Sequence, residues 1–101
     1  MSEAEQTAYQ EKMEAKLTKL EAELQRLEGE LQEQKADTRK GMQEQLQRLR
    51  ERSASVRSGL HRLKSSSGAA WTETKNGVAT AWHDLESSLE AAREQFRQQR
   101  E

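Results

Sequence analysis

The chain has 101 residues, a formal net charge of −1 and 35% charged side chains, whereas hydrophobic residues make up only 32%. This composition excludes a thick globular core but allows a narrow apolar seam between helices, which needs about two apolar residues in seven. Cysteine and proline are absent, so the sequence excludes disulfides and thiolate metal sites.

The apolar residues are also too dispersed to form a membrane span. No apolar run approaches the roughly 18 residues that a spanning helix needs. The N-terminus is acidic and has no apolar segment of the kind found in signal peptides. We therefore expect a cytoplasmic protein.

The first predicted element is a helix with a leucine seam. Its apolar residues are spaced alternately by four and three positions: Met13, Leu17, Leu20, Leu24, Leu27 and Leu31. This is the a/d heptad pattern of helices that pack lengthwise against a partner helix.

A second seam continues the first. Its members are Met42, Leu46, Leu49, Ser53, Val56, Leu60 and Leu63. Leu31 and Met42 are eleven residues apart, which is three whole turns at about 3.67 residues per turn, so the stripe stays in phase. We therefore predict one continuous helix over residues 4–64. A turn near residues 35–41, which contain weak helix formers, is the alternative and would give a three-helix bundle.

A turn follows at residues 65–68, where three serines precede a glycine. A last helix is predicted over residues 69–98, with its stripe at Trp71, Val78, Trp82, Leu85, Leu89, Ala92 and Phe96. The predicted fold is all-α: a long first helix and a shorter antiparallel second helix form a helical hairpin or coiled coil, in one domain over residues 1–101. We expect Trp82 to be the main buried anchor of the last helix and Trp71 to matter less.

Charge is segregated along the chain. The net charge is −5 over residues 1–34, +6 over residues 35–64 and −2 over residues 65–101. Positions beside the first seam are mostly acidic, and those beside the second include no acid, so the acidic seam should prefer the basic one. Two copies can satisfy this preference by lying antiparallel, or one chain can fold back near residues 35–41.

The stripes together form the predicted interaction seam. It contains Leu17, Leu20, Leu24, Leu27, Leu31, Leu46, Leu49, Val56, Leu60, Leu63, Trp71, Val78, Trp82, Leu85, Leu89 and Phe96. We predict no catalytic, cofactor-binding or metal-binding residues, because His61 and His83 lack ligand spacing and the carboxylates lie on solvated helix faces. The basic stretch 39–64 lacks aromatic platforms for bases, which disfavours nucleic acid as a partner.

One segment resembles a known family. Residues 70–85 read A-W-x-x-x-K-x-G-V-x-x-A-W-x-x-L and follow a long Glu/Lys/Leu helix and a Ser-Gly turn. This resembles a bacterial family of small coiled-coil proteins, some of them described as salt- and light-stress proteins. The resemblance implies a non-enzymatic coiled-coil protein with a stress-related role, and the seams with their flanking charges predict that it self-associates. The alternative is a peripheral protein of membrane, lipid or polymer surfaces, bound through the face of Trp71, Trp82 and Phe96.

Overall fold

The computed structural model describes the backbone of residues 1–100 and the side chains of residues 1–99, and it contains three α-helices. Helix α1 spans Glu3–Leu31, α2 spans Ala36–Lys64 and α3 spans Gly68–Arg100. They lie side by side in a bundle whose Cα atoms extend over 51 × 17 × 17 Å. No strand occurs within the described residues, which confirms the all-α fold class. The three helices match the predicted alternative, a three-helix bundle.

The predicted continuous helix over residues 4–64 is wrong. Lys35 adopts an extended conformation (φ −67°, ψ 154°) and separates α1 from α2. The turn lies slightly before the weak helix formers at 35–41, in residues that themselves favour helix. An apolar stripe in phase across eleven residues therefore did not require a continuous helix, because two antiparallel helices can also bury that stripe against each other.

The first turn is completed by side-chain hydrogen bonds from α2. The Arg39 guanidinium donates from Nε to the Leu31 carbonyl oxygen at 3.1 Å and from Nη2 to the Gln34 carbonyl oxygen at 2.8 Å. The last carbonyl groups of a helix have no partner within the helix. Arg39 therefore supplies donors for the end of α1, which has no basic residue in its own last turn.

The second turn follows the sequence prediction. Helix α2 ends at Lys64, and α3 begins at Gly68, whose φ of 56° lies in the left-handed region that glycine adopts without strain. Consecutive helices joined by such short turns run antiparallel, so α3 packs against α2 in the predicted direction. The last helix was predicted to be the shorter one, and this is wrong: α3 has 33 residues, whereas α1 and α2 have 29 each.

The core is a single apolar cluster along the bundle axis. Its buried members are Met13, Leu17, Leu20, Leu24, Leu27, Leu31, Met42, Leu46, Leu49, Val56, Leu60, Leu63, Trp71, Val78, Leu85, Leu89, Ala92 and Phe96, with Tyr9, Ala81 and Trp82 packed against it. Within residues 1–99, Met1 is the one large apolar side chain that is exposed. None of the described helices combines the length and apolar character needed to cross a membrane.

Helices α2 and α3 approach closely at a glycine. A Cβ atom added to Gly59 would lie 2.8 Å from Cγ2 of Val78, which is closer than such atoms pack. Gly59 is itself buried in α2. The absence of a side chain at this position therefore sets the spacing of the two helices.

Candidate interaction surface

The structure buries the predicted interaction seam inside one chain. Fifteen of its sixteen residues are buried, and Trp82 is half-buried. The same stripe includes Met13, Met42 and Ala92, which are buried as well. Ser53, the polar member of the second stripe, is also buried, and its Oγ donates to Glu21 Oε2 at 3.3 Å. The apolar surface that the sequence offered for association is thus already used in the bundle.

The two tryptophans occupy the opposite roles from those predicted. Trp71 is 1% exposed and is among the largest fully buried side chains, whereas Trp82 remains half-buried. Phe96, with 0% exposure, anchors the other end of α3. Trp82 lies over the boundary between α1 and α3, beside Lys16, whose Nζ is 6.0 Å from the indole ring centroid.

Three ion pairs connect α1 to α2 and form what we call the charge ladder: Glu14–Lys64, Glu21–Arg57 and Glu28–Arg50. On each helix the three residues are spaced by seven positions, so they follow the heptad repeat of the buried stripe. Nζ of Lys64 lies 2.7 Å from Oε1 of Glu14. The acidic flank of the first seam therefore meets the basic flank of the second, as the charge pattern predicted, and the pairing occurs within one chain.

A separate ion pair connects α1 to α3. Arg93 donates from Nε to Glu23 Oε2 at 2.5 Å and from Nη2 to Glu23 Oε1 at 2.7 Å. These hydrogen bonds hold the pKa of the Glu23 carboxyl below its ordinary value of 4.5, although partial burial acts in the opposite direction. The bidentate geometry of an arginine–carboxylate pair fixes the relative position of the two helices.

A half-buried lysine lies among aromatic rings near the start of α3. The rings of Tyr9 and Trp71 meet edge to face with centroids 6.0 Å apart. Nζ of Lys75 lies 5.0 Å from the Tyr9 centroid and 5.9 Å from the Trp71 centroid, within the range of cation–π attraction. Burial also raises the pKa of the Tyr9 hydroxyl.

Sequence reasoning missed this cluster, although a signal was present. Lys75 lies seven residues before Trp82 and thus extends the series 82, 89 and 96 by one step. A lysine in an apolar stripe has a stem that packs and a charge that needs a partner. Tyr9, the aromatic residue of α1, is the natural candidate for that partner.

A groove of about 380 Å³ opens between α1 and α3. It is lined by Lys16, Lys19, Leu20, Glu23, Trp82, Glu86, Leu89, Glu90 and Arg93. The Nε1 atoms of Trp71 and Trp82 are enclosed and have no hydrogen-bond acceptor among the described residues. The α1–α3 boundary is therefore the part of the bundle in which aromatic polar groups lack partners.

The basic stretch of α2 is partly engaged within the bundle. Arg50, Arg57 and Lys64 belong to the charge ladder, and Arg39 completes the first turn. Lys40, Arg48, Arg52 and Arg62 remain exposed. Four of the eight basic residues between positions 39 and 64 thus have structural partners in the same chain.

The site contains no grouping that points to metal chemistry. Among the described residues, no three His, Asp or Glu side chains are close enough together to hold a metal ion. Comparison with protein-family models, curated proteins and solved structures finds no match to this chain. The resemblance of residues 70–85 to stress-related coiled-coil proteins therefore stays a prediction.

Proposed function

We propose that this protein is a non-enzymatic helical interaction protein whose partner is a second copy of itself. The observation that supports the proposal is the charge ladder beside the buried seam. The acidic face of α1 and the basic face of α2 are complementary, and both belong to the same chain. Any two copies therefore carry two complementary pairs of faces.

The charge ladder acts on the choice of partner more than on stability. Exposed ion pairs contribute about 0.2–1 kcal/mol each, whereas like charges at the same positions are unfavourable. The seam itself is nearly all leucine, which specifies the number of helices poorly. Discrimination among possible partner helices thus depends on the flanking charges, which favour α1 against α2 in the antiparallel direction.

Light scattering combined with circular dichroism over a dilution series tests this proposal. We expect the mass to rise from the 11.6 kDa of one chain towards twice that value with increasing concentration. The helicity should stay nearly constant, because the same seams are buried in either state. A mass of one chain up to millimolar concentration would contradict self-association.

A second candidate function is binding to a lipid surface, and the half-buried ring of Trp82 beside the groove between α1 and α3 favours it. Tryptophan rings of surface helices insert at the boundary between headgroups and acyl chains. Co-sedimentation with phosphatidylcholine–phosphatidylglycerol vesicles tests this function. Binding should pellet the protein, and Trp82→Ala, which removes the half-buried ring, should weaken it. A protein that stays in the supernatant contradicts this candidate.

The stress-related role and the cytoplasmic location are further parts of the proposal. They are supported by the segment at residues 70–85 and by the composition of the chain. A deletion strain compared with its parent under salt or light stress tests the first. Equal growth of the two strains under every condition would contradict it.

A further inference from the structure

We propose that the second copy binds by exchange of helix α1, through straightening of residues 32–35 into helix. This inference rests on the self-association proposed above and specifies its geometry. In the exchanged dimer, α1 and α2 of each copy join into one helix over residues 3–64. That helix is on the order of 90 Å long at 1.5 Å per residue. The acidic half of each long helix then faces the basic half of its partner.

The residues of the first turn are compatible with a continuous helix. Residues 32–35 are Gln, Glu, Gln and Lys, which are good helix formers, and neither glycine nor proline interrupts them. Gln32 keeps right-handed helical angles of −59° and −26°, and Lys35 is extended. The N–H groups of Glu33 and Gln34 already donate to carbonyl groups three residues earlier, both at 3.1 Å. Straightening therefore requires a change of backbone conformation over very few residues.

After straightening, the apolar stripe can still pack against a partner helix along its whole length. Leu31 and Met42 are three turns apart in a continuous helix, so the first and second seams lie on one face. The charge ladder can also form between two chains, because Glu14, Glu21 and Glu28 can pair with the corresponding lysine and arginines of α2 in the second copy. Exchange of identical elements thus replaces each contact within the chain by the same contact between chains.

Arg39 opposes the exchange. In a continuous helix the Leu31 carbonyl accepts from the Lys35 N–H group, and the Gln34 carbonyl accepts from the Thr38 N–H group. In the folded monomer the Arg39 guanidinium donates to both carbonyl oxygens instead. Arg39 therefore stabilises the turn by occupying the acceptors that the straight helix needs.

The first test uses two variants with opposite expected effects. Ala36 is the first residue of α2, where proline fits, and the extended Lys35 before it has the conformation that a following proline favours. Proline inside a continuous helix is strongly unfavourable. Ala36→Pro should therefore abolish the dimer and leave a folded monomer. Arg39→Ala should raise the dimer-to-monomer ratio roughly tenfold, because charge-assisted hydrogen bonds are lost from the monomer alone.

Arg48→Ala is the matched control for Arg39→Ala, since Arg48 is an exposed arginine of the same helix. All variants are unfolded, refolded at high protein concentration and separated by size-exclusion chromatography with light scattering. Arg48→Ala should leave the ratio unchanged. A dimer that persists in Ala36→Pro overturns helix exchange but leaves self-association standing. No dimer in any variant, Arg39→Ala included, overturns both.

A second experiment exploits the charge ladder through two full-length variants. One carries Glu14→Lys, Glu21→Lys and Glu28→Lys, and the other carries Arg50→Glu, Arg57→Glu and Lys64→Glu. Each variant alone has like charges at all three positions of the charge ladder. In an exchanged heterodimer, α1 of each variant packs against α2 of the other, so all three pairs of both interfaces have opposite charges. We expect heterodimers after joint refolding.

The opposite net charges of the two variants also attract each other, so the control adds Ala36→Pro to both. Helix exchange predicts that this addition removes the heterodimer. Heterodimers that form equally well with Ala36→Pro would show ordinary association of folded monomers and would overturn the exchange.

Discussion

The two turns of this bundle reverse the chain by different means. At the second turn, Gly68 adopts a left-handed conformation, and Trp71 is buried three residues later. At the first turn, every residue has a negative φ, and a side chain of the next helix, Arg39, holds the end of α1. The second turn is thus encoded in local backbone preferences, whereas the first depends on contacts between helices. We therefore expect the first turn, rather than the second, to open in the proposed helix exchange.

Removal of Trp71 should have the largest effect, because this side chain anchors the second turn. Trp71→Ala should lower the free energy of unfolding by about 3–5 kcal/mol, the usual cost of truncating a buried tryptophan. Trp82→Ala is the matched control and should cost clearly less, since Trp82 is half-buried. Urea denaturation followed by circular dichroism measures both. An equal or larger loss for Trp82→Ala would contradict the assigned anchor.

The close approach of α2 and α3 predicts the next largest effect. A Cβ at position 59 would lie 2.8 Å from Val78, so Gly59→Ala should cost about 1–3 kcal/mol through overpacking. Gly41, in the same helix, has no atom within 4 Å of an added Cβ. Gly41→Ala should therefore stabilise the protein by roughly 0.5–1 kcal/mol. Thermal melts of the two variants should shift in opposite directions, and shifts in the same direction would refute the close contact.

Gly68 provides a direct test of the local encoding of the second turn. A left-handed conformation costs a residue with a Cβ roughly 1–2 kcal/mol, so Gly68→Ala should destabilise by about that amount. Gly77→Ala, in the same helix and with free space around the added Cβ, is the control and should be stabilising. Denaturant titration measures the free energy of unfolding of both variants. If Gly68→Ala were neutral, the turn would not depend on the positive φ.

The smallest expected effect concerns the ion pair between α1 and α3. The pKa of Glu23 is lowered in the folded protein by its hydrogen bonds with Arg93, so its contribution to stability is present above its ordinary value of 4.5. That contribution is lost as the pH falls through the lowered pKa. The difference in melting temperature between wild type and Glu23→Gln should therefore shrink from pH 7 to pH 3. Glu11→Gln, on an exposed face of the same helix, is the control, and equal behaviour of both variants would contradict the assignment.

The burial of the predicted seam residues could be foreseen because heptad spacing is a local property of the sequence. Fifteen of these sixteen residues are buried, and the predicted turn at residues 65–68 was marked by three serines and a glycine. The preference of the acidic seam for the basic seam could also be predicted from the charged residues that flank the stripes. These features depend on residue type and spacing alone.

The first turn and the role of Trp82 depend on packing between distant residues. No residue between positions 32 and 35 excludes helix, so the turn becomes apparent only when Arg39 is seen beside the Leu31 carbonyl. Similarly, both tryptophans lie on the same stripe, and the position of α1 decides which is covered. Tyr9 of α1 packs against Trp71, whereas Lys16 lies beside Trp82. Sequence periodicity specifies a face but not how deeply each member of it is buried.

Small-angle X-ray scattering of the monomer, separated by size exclusion at low concentration, tests most directly whether the seams close within one chain. The compact bundle predicts a radius of gyration close to the 16.0 Å of the Cα atoms and a long axis close to their 51 Å extent, each slightly enlarged by side chains and hydration. A continuous helix over residues 3–64 predicts a maximum dimension on the order of 90 Å instead. A monomer with that longer dimension would contradict the three-helix bundle and the intramolecular charge ladder together.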